Sequence, residues 1–260
     1  MVGGDRARIE AALDAAEAAL APFTSGDIAS RLKQGDDPVT AADLAVNVAL
    51  RDTLVEPGEG WLSEETVDSA DRLGRDRVWV VDPLDGTREF IMGIPEWCVS
   101  VGLVVDGIPV AGGVLNPATG DRIVGTVDGG VTRRGHPASC TTTDQIEGAL
   151  VLASRSEVRR GEWDPFFATS IAVRNMGSVA FKLACVGAGM ADATWTLVPK
   201  NEWDVAAGAA IVIAGGGRVS GRDGEDVTFN RPDPKLTGFV ATAPGLEAAV
   251  RKLIDETQTR

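Results

Sequence analysis

The chain has 260 residues, of which 44% are hydrophobic and 24% are charged, a composition typical of a globular protein rather than a disordered or fibrous one. Its 25 lysines and arginines stand against 38 aspartates and glutamates, and the net charge of −13 argues against binding to a nucleic acid polymer or an anionic membrane. A phosphate ligand is still allowed, because divalent cations held by carboxylates reverse the local sign of charge.

The first 60 residues predict two helices. Four apolar residues at helical spacing predict the inner stripe of the first helix: Ile9, Leu13, Ala16 and Leu20. Thr40 is a good N-cap for the second helix, and Asp43 stands three positions later, as in a capping box. The pattern places three apolar residues on the inner face of this second helix: Leu44, Val48 and Val55.

An antiparallel sheet is predicted next, with strands at residues 61–63, 77–82, 97–105, 108–115, 121–127 and 130–133. The second strand is apolar without alternation, which is typical of a strand buried on both faces. Pro83 has no N–H, so it should end the hydrogen-bond ladder of that strand. Asp106 and Gly107 are a favoured pair for a two-residue turn and predict a hairpin between the third and fourth strands.

From about residue 148, strands and helices alternate. Strands are predicted at 149–154, 171–175, 191–198 and 238–243, and helices at 178–189, 203–216 and 246–254. The middle helix is apolar on all faces, so it should be buried. We therefore predict an α+β first half and an α/β second half, divided into domains 1–140 and 141–260, with the polar stretch 134–147 as the seam.

Cysteine and histidine usage limits the chemistry. Cys98, Cys140 and Cys185 are widely spaced and form no CxxC motif, so we predict free thiols and a reducing, cytoplasmic location. The single histidine, His136, excludes a metal site built from several histidines. No window approaches 18 uninterrupted apolar residues, so no membrane-spanning segment is expected.

The segment VWVVDPLDGTREF (78–90) is the most informative for function. A hydrophobic strand delivers Asp82 at its carboxyl end, and Asp85 follows on a turn. Gly86 allows a tight backbone, and Thr87 can open a helix with free N–H groups. Carboxylates beside unpaired amides suit a cation and an anion together. An Asx turn with Asp85 as an N-cap is an equally good interpretation of this segment alone.

Further acids stand near other predicted element ends: Asp43, Glu64, Glu65 and Asp204. Each has an ordinary explanation, as a solvated charge pair for the two glutamates and as helix N-terminal acids for the two aspartates. Spacing alone does not show that these acids meet Asp82 and Asp85 in space. The chain has no GxxxxGK[ST] motif, so a P-loop is excluded.

Three motifs, WLSEE (61–65), DPLDGTREF (82–90) and EWDVAAG (202–208), resemble in order and spacing those of the inositol monophosphatase superfamily. These proteins are magnesium-dependent, lithium-sensitive phosphomonoesterases. The resemblance extends from about residue 39 to residue 241. It implies the layered αβαβα sandwich of the inositol monophosphatase and fructose-1,6-bisphosphatase type.

The resemblance also implies a role for each matching residue. Two or three Mg²⁺ ions would be held by Glu64, Asp82, the backbone carbonyl of Leu84, Asp85 and Asp204. The implied catalytic residues are Thr87, which would help to deprotonate the attacking water, and Glu65 and Asp43, which would support a weakly bound metal and its waters. The implied substrate-binding residues are Gly86, Thr87, Arg155, Ser178, Lys182 and Asp204.

The substrate follows from finer likenesses. TREF (87–90) and MGSVAFK (176–182) resemble segments of the CysQ-like 3'(2'),5'-bisphosphate nucleotidases, with Ser178 and Lys182 holding the second phosphate. This implies hydrolysis of 3'-phosphoadenosine 5'-phosphate to AMP and phosphate. However, Glu157 stands where that family often has histidine, and Lys182 could be an ordinary solvated helix position. The implied partner is a small phosphorylated metabolite, and a homodimer is an expectation because dimers are frequent in the family.

Two alternatives stay open at this stage. The first is an inositol-1-monophosphatase or a promiscuous sugar phosphatase such as a fructose-1,6-bisphosphatase. The second is a metal-binding or regulatory protein that has lost catalysis. Retention of Thr87 beside the acids argues against the second alternative, because a protein without catalysis has no need of that hydroxyl.

Overall fold

The structure is a computed structural model that describes residues 2–32 and 38–258. The described residues form seven α-helices: α1 Val2–Leu20, α2 Ala41–Leu54, α3 Thr87–Ile91, α4 Arg155–Arg159, α5 Val179–Gly187, α6 Glu202–Ala214 and α7 Glu247–Gln258. They also form these strands: β1 Ser30–Leu32, β2 Pro38–Thr40, β3 Gly60–Ser63, β4 Arg77–Asp85, β5 Cys98–Val105, β6 Ile108–Asn116, β7 Asp121–Thr126, β8 Gly130–Arg133, β9 His136–Ala138, β10 Leu150–Ser154, β11 Ala172–Met176, β12 Ala193–Thr196, β13 Lys200–Asn201, β14 Arg218–Gly221, β15 Lys235–Leu236 and β16 Phe239–Thr242.

The first sheet has seven strands in the order β3-β4-β5-β6-β7-β8-β9. The antiparallel prediction is wrong for the first pair, because β3 and β4 run parallel, and it is right for every later pair. The predicted hairpin is confirmed: Asp106 and Gly107 join β5 to β6 with φ values of 50° and 80°, as a type I′ turn requires. The edge strand β9 lies within the stretch that we expected to be an irregular seam.

The second sheet has five strands in the order β11-β10-β12-β16-β14. β10 pairs in parallel with β11 and β12, whereas β16 is antiparallel to both of its neighbours. The alternating pattern predicted four of these strands but missed β14, which is only four residues long and carries no continuous apolar run. The second half is therefore α/β, with a mixed rather than a parallel sheet.

The layered αβαβα sandwich is confirmed. α1 and α2 pack on one face of the first sheet, α5 and α6 lie between the two sheets, and α4 and α7 lie against the second sheet. α6 is buried along almost its whole length, as its all-round apolar sequence predicts. It approaches β6 so closely that a Cβ at Gly112 would lie 2.2 Å from the carbonyl oxygen of Ala207, so only glycine fits there.

The predicted inner stripe of α1 is confirmed, since Ile9, Leu13, Ala16 and Leu20 are all buried. The predicted capping box of α2 is also present, between Thr40 and Asp43.

The predicted inner face of α2 is wrong, because Leu44 and Val48 are 43% and 58% exposed. The buried apolar residues are instead Ala42, Val46, Leu50 and Leu54, which face α1 and β4. The helix carries two apolar stripes, and packing selects the one that shares its side with buried Asp43.

Pro83 does not end β4, contrary to the prediction. The strand continues to Asp85, and its pairing with β5 shifts register between Asp82 and Asp85. Such an irregularity accommodates a residue without an N–H while the strand goes on. The shift keeps both aspartates at one end of the sheet, and both are buried.

We propose that the two sheets define two subdomains, 1–140 and 141–260, that share a core through α5 and α6. Both helices come from the second half, yet α6 contacts β4, β5, β6 and β7 of the first sheet. In the ranges that the structure describes, no helix is long and apolar enough to cross a membrane.

Candidate active site

Two adjoining cavities lie at the ends of β4 and β10, beside the N-termini of α5 and α6. The smaller has a volume of about 310 Å³, and the larger about 520 Å³. The smaller is lined by the predicted substrate residue Gly86 and by most of the predicted metal and catalytic residues: Glu64, Asp82, Leu84, Asp85, Thr87 and Asp204. The larger is lined by predicted substrate residues: Arg155, Ser178 and Lys182. The two cavities share a wall that includes Asp85, Gly86 and Lys200.

Asp82 is held by its own loop. Its Oδ1 accepts a hydrogen bond from the Leu84 amide at 3.0 Å, which folds the chain back over the carboxylate. Gly86 then reverses direction with φ of 97°, and a Cβ there would lie 3.0 Å from the Glu96 carbonyl oxygen. The loop therefore needs glycine at this position, and the turn delivers Thr87 to the start of α3.

Asp85 does not cap the helix that follows it. The N-cap of α3 is Gly86, with no side-chain hydrogen bond, so the Asx-turn interpretation of this segment is wrong. Asp85 Oδ2 instead accepts hydrogen bonds from the Ser178 hydroxyl and the Ala180 amide, both at 2.6 Å. Asp85 thus joins the first sheet to the N-terminus of α5, where a negative charge is favourable.

Asp43 and Thr87 form a pair across 44 positions of sequence. Thr87 Oγ1 lies 3.0 Å from Asp43 Oδ1 and 3.0 Å from the Leu84 carbonyl oxygen. Its one proton can serve one of these acceptors at a time. Asp43 Oδ2 accepts from the amide and hydroxyl of Thr40, at 2.8 and 2.6 Å, so the carboxylate is fixed by its capping box. The ordinary role of Asp43 as a helix acid and its implied catalytic role therefore coexist.

Asp204 and Glu64 complete the acidic wall. Asp204 Oδ2 accepts from the Asn201 amide at 3.1 Å in the capping box of α6. Glu64 follows β3 directly, and its amide donates to the Val81 carbonyl at 3.3 Å. Glu65 stands next to it, with its amide donating to Ser63 Oγ at 3.2 Å, and it is not among the residues that line the smaller cavity.

Burial and mutual repulsion dominate the electrostatics of the acidic wall. Burial, followed by the charges of Glu64, Asp85 and Asp204, holds the pKa of Asp82 well above its usual value. Burial and the charges of Asp85 and Glu64 likewise raise the pKa of Asp204. Burial also raises the pKa of Asp85, against the opposing hydrogen bonds from Ser178 and Ala180. These acids therefore lack enough positive charge from the protein to balance them.

This donor set fits a hard divalent cation. All of its side-chain donors are carboxylate oxygens, which Mg²⁺ prefers, and a cation would relieve the repulsion that, together with burial, raises the pKa values of Asp82 and Asp204. Within the described ranges, no three acidic, thiol or imidazole side chains converge closely enough to form a complete cage. A Mg²⁺ ion held by these residues would complete its coordination with waters, several of which this ion usually keeps.

The larger cavity has the opposite charge. Six basic side chains line it: Arg88, Arg155, Arg159, Arg160, Lys182 and Lys200. They account for six of the 25 lysines and arginines in a chain with a net charge of −13. Such a concentration creates a local positive field that attracts anions. Sequence reasoning identified only two of the six.

The two predicted basic residues are both anchored. Lys182 is buried rather than solvated, and its Nζ donates to the carbonyl oxygens of Ser178 and Met176 at 2.8 and 3.4 Å. Burial lowers the pKa of Lys182, and the charge of Asp85 opposes that shift. Arg155 is held by two acids from the first half, with Nε 3.6 Å from Glu89 and Nη1 3.5 Å from Glu96.

Four of the six basic residues were not among the predicted site residues: Arg88, Arg159, Arg160 and Lys200. Lys200 lines both cavities, and its Nζ lies 3.0 Å from Glu157 Oε1. Glu157 is 2% exposed and lines neither cavity, so it does not face a bound nucleotide as its sequence position suggested. The signal for Lys200 was its position four residues before Asp204 and two residues after the predicted strand at 191–198.

Comparison with known proteins identifies the family. The model of the inositol monophosphatase family matches residues 5–258. The inositol-1-monophosphatase SuhB of Mycobacterium tuberculosis is 37% identical over 241 residues, covering 85% of this chain and 79% of SuhB. The inositol-1-monophosphatase ImpA of Mycolicibacterium smegmatis is 31% identical, covering 96% of this chain and 93% of ImpA.

Solved structures share the fold. The IMPase of Thermotoga maritima matches with a TM-score of 0.83 at 24% identity, covering 96% of each chain. CysQ from Bacteroides thetaiotaomicron, a bacterial member of the inositol monophosphatase family, matches with a TM-score of 0.72 at 27% identity, covering 92% of this chain and 97% of CysQ. The chain therefore belongs to the inositol monophosphatase family, whose members are phosphoric monoester hydrolases that act on small phosphorylated substrates and generally depend on metal ions.

Proposed function

We propose that this phosphatase hydrolyses 3'-phosphoadenosine 5'-phosphate to AMP and phosphate with the help of Mg²⁺. The observation that carries the proposal is the junction of an acidic cavity with a larger basic cavity across a shared wall. An acidic cavity with bound cations suits the phosphate that is cleaved. A basic cavity beside it suits a second anionic group on the same substrate.

The proposed metal ligands are Glu64, Asp82, the Leu84 carbonyl, Asp85 and Asp204, with two or three ions in total. Bound Mg²⁺ would lower the pKa of a coordinated water and stabilise the negative charge that develops on the leaving oxygen. Glu65 is proposed to support the more weakly held ion, through the water shell rather than directly.

Thr87 and Asp43 are the proposed proton-handling pair. Thr87 donates its single proton toward Asp43, so the lone pairs of the Thr87 hydroxyl are left to accept a hydrogen bond from the attacking water. Asp43 is fixed by Thr40 and keeps the hydroxyl oriented. A positioned base of this kind contributes about 10²- to 10⁴-fold to the rate.

The cleaved phosphate is proposed to lie against the amides of Gly86 and Thr87. Ser178 and Lys182 would hold the second phosphate, which is not cleaved, from the side of α5, and Arg155 would border the rest of the substrate. Lys182 provides a positive charge that is already fixed by two backbone carbonyls. A fixed charge loses little conformational freedom when the substrate binds.

Inositol 1-phosphate is the second candidate substrate. The relatives SuhB and ImpA, which are 37% and 31% identical to this chain, are both named inositol-1-monophosphatases. A substrate with one phosphate would use the acidic cavity and leave the basic cavity to hydroxyl groups and water. A sugar bisphosphate such as fructose 1,6-bisphosphate is a third candidate substrate, because it also carries two phosphates.

The cellular location is proposed from the cysteines, and the oligomeric state from the family resemblance. The three cysteines are free and buried, which agrees with a reducing cytoplasm. The homodimer stays a prediction from the family resemblance, and size-exclusion chromatography with light scattering would test it.

Phosphate release with Mg²⁺ tests the proposed substrate. 3'-phosphoadenosine 5'-phosphate should be compared with 3'-AMP, which lacks only the 5'-phosphate, and with inositol 1-phosphate and fructose 1,6-bisphosphate. We expect kcat/KM for the nucleotide bisphosphate to exceed that for 3'-AMP by at least about tenfold, the scale of one charged hydrogen bond. A preference for inositol 1-phosphate would support the second candidate instead, and no release from any substrate would contradict the activity as a whole.

A further inference from the structure

Lys200 occupies a distinct position among the basic residues of the site. Of the six that line the larger cavity, Arg88 and Lys200 also line the smaller one. Arg88 is exposed, whereas Lys200 is half-buried and its backbone is held in β13, opposite Leu236 of β15. The backbone position from which the Lys200 side chain extends is therefore fixed at the junction of the two cavities.

Glu157 fixes the other end of that side chain. Its Oε1 lies 3.0 Å from Lys200 Nζ and accepts a hydrogen bond from Thr196 Oγ1 at 2.6 Å. Its Oε2 accepts from Trp163 Nε1 at 3.3 Å. The carboxylate is thus held by a hydroxyl, an indole and an ammonium from three different segments of the second half, and it is almost completely buried.

The Glu157 carboxylate depends on Lys200 for its compensating positive charge. In return, the carboxylate orients the Lys200 side chain. A buried carboxylate needs a compensating cation, because leaving it unpaired costs several kcal/mol. An ammonium carries three N–H donors, and one of them is directed to Glu157. The Lys200 charge also acts on Asp85 and Asp204 of the smaller cavity, where it opposes the rise in their pKa values. The remaining donors are available on the side of the side chain that lines both cavities.

We propose that Lys200 is a specificity-determining residue that binds the anionic group of the substrate that is not cleaved, and that Glu157 is a positioning residue that holds Lys200 at the cavity junction. The proposal rests on the proposed phosphatase function and deepens it. It names the substrate class as phosphomonoesters that carry a second anionic group. It also gives a role to Glu157, which has no contact with either cavity.

The test compares substrates that differ by one phosphate. kcat and KM should be measured with Mg²⁺ for 3'-phosphoadenosine 5'-phosphate against 3'-AMP, and for fructose 1,6-bisphosphate against fructose 1-phosphate. We expect Lys200→Ala to raise KM about tenfold for whichever bisphosphate the wild type prefers, and less than about twofold for its monophosphate partner, with kcat almost unchanged. Lys200→Arg should restore most of the loss.

Glu157→Gln tests the positioning role. It keeps the shape of the side chain but removes the charge that holds Lys200, so we expect KM for the bisphosphate to rise about threefold, again with little effect on the monophosphate. The double variant Glu157→Gln/Lys200→Ala has no buried unpaired charge, and it covers the case in which Lys200→Ala alone fails to fold. It should match Lys200→Ala in KM, because Glu157 acts only through Lys200.

Lys252→Ala is the matched control for net charge. Lys252 lies on α7, with its side chain 77% exposed and its Nζ 3.8 Å from Glu256, away from both cavities. It should leave both KM values unchanged.

Equal KM effects of Lys200→Ala on bisphosphate and monophosphate, or a fall in melting temperature with no change in KM, would overturn the inference while leaving the phosphatase function intact. A wild type with no preference for any bisphosphate would also overturn it, and a wild type that releases no phosphate at all would overturn the proposed function.

Discussion

Glu59 and Asp82 are both buried carboxylates beside β4, and their surroundings differ. Glu59 accepts hydrogen bonds from Arg8 at 3.0 and 2.6 Å, from Arg77 at 3.1 Å and from Trp79 at 2.9 Å. These partners outweigh burial and lower the pKa of Glu59 from 4.5 to about 2. Asp82 accepts a hydrogen bond from the Leu84 amide, and burial together with its acidic neighbours raises its pKa.

The difference separates a charge that the protein balances itself from one that we propose to be functional. The Glu59 cluster is balanced by the protein itself, so it stabilises the fold and needs no ligand. The Asp82 cluster is not balanced, so folding has placed negative charge where it is unfavourable until a cation binds. A buried carboxylate that lacks protein cations is the better indicator of function, because perturbed pKa values cluster at functional sites.

The largest effect is expected for Asp82→Asn. The change removes a charge from the centre of the acidic wall, and we expect kcat with Mg²⁺ to fall by at least about 10³-fold, since metal-assisted stabilisation contributes several kcal/mol. The same variant should be as stable as the wild type, or more stable, in the absence of Mg²⁺, because it relieves repulsion. Activity assays and thermal unfolding in EDTA measure the two effects. Near wild-type turnover would refute the role of Asp82.

Thr87→Ala should have the next largest effect. We expect kcat to fall by about 10²-fold with a smaller change in KM, because the hydroxyl is proposed to act on the attacking water in the transition state. Thr87→Ser is the matched control, since it keeps the hydroxyl beside Asp43 and should retain most of the activity. If only KM changes in the alanine variant, Thr87 is a substrate ligand and not part of a proton-handling pair.

Glu59→Gln should affect stability and spare catalysis. Removing one partner of a fully buried ion pair costs about 3–5 kcal/mol. The side chains of Arg8 and Arg77 are 21% and 35% exposed, so we expect a smaller loss of about 2 kcal/mol in the free energy of unfolding. Chemical denaturation at pH 7 measures it, with kcat unchanged as the control. A large loss of kcat would mean that this cluster also supports the site.

The smallest expected effect is the pH dependence of the difference in unfolding free energy between wild type and Glu59→Gln. The folded pKa of Glu59, at about 2, lies below its ordinary value of 4.5, so its stabilisation is complete above pH 4.5 and declines as the pH falls from 4.5 toward 2. The gap in unfolding free energy between wild type and Glu59→Gln should therefore be constant from pH 5 to 7 and shrink below pH 4.5. A gap that persists at pH 2.5 would show that the charge of Glu59 is not the cause.

The sequence predicted the parts of the molecule that depend on local pattern. The α1 stripe, the Thr40–Asp43 capping box, the hairpin at Asp106 and the buried helix α6 were all read from periodicity, capping or turn chemistry. The ordered motifs predicted the family and the acids of the smaller cavity. Each of these signals is carried by residues close together in the chain.

What the sequence could not predict depends on contacts between distant segments. α2 has two apolar stripes, and only packing against α1 and β4 shows that Val46 rather than Val48 is buried. Pro83 lies inside a strand because a shift in register accommodates it. Lys200 and Glu157 are 43 positions apart, and neither shows a role until the fold brings them to 3.0 Å. The metal and substrate assignments stay predictions until they are tested.

The most direct test of the acidic wall as a cation site is thermal unfolding as a function of Mg²⁺ concentration for wild type, Asp82→Asn and Glu59→Gln. A ligand at one hundred times its Kd stabilises the folded state by about 2.7 kcal/mol. We expect the melting temperatures of wild type and Glu59→Gln to rise in parallel with Mg²⁺, and that of Asp82→Asn to rise much less. A wild-type melting temperature that does not respond to Mg²⁺, or an Asp82→Asn variant that responds like the wild type, would contradict the assignment.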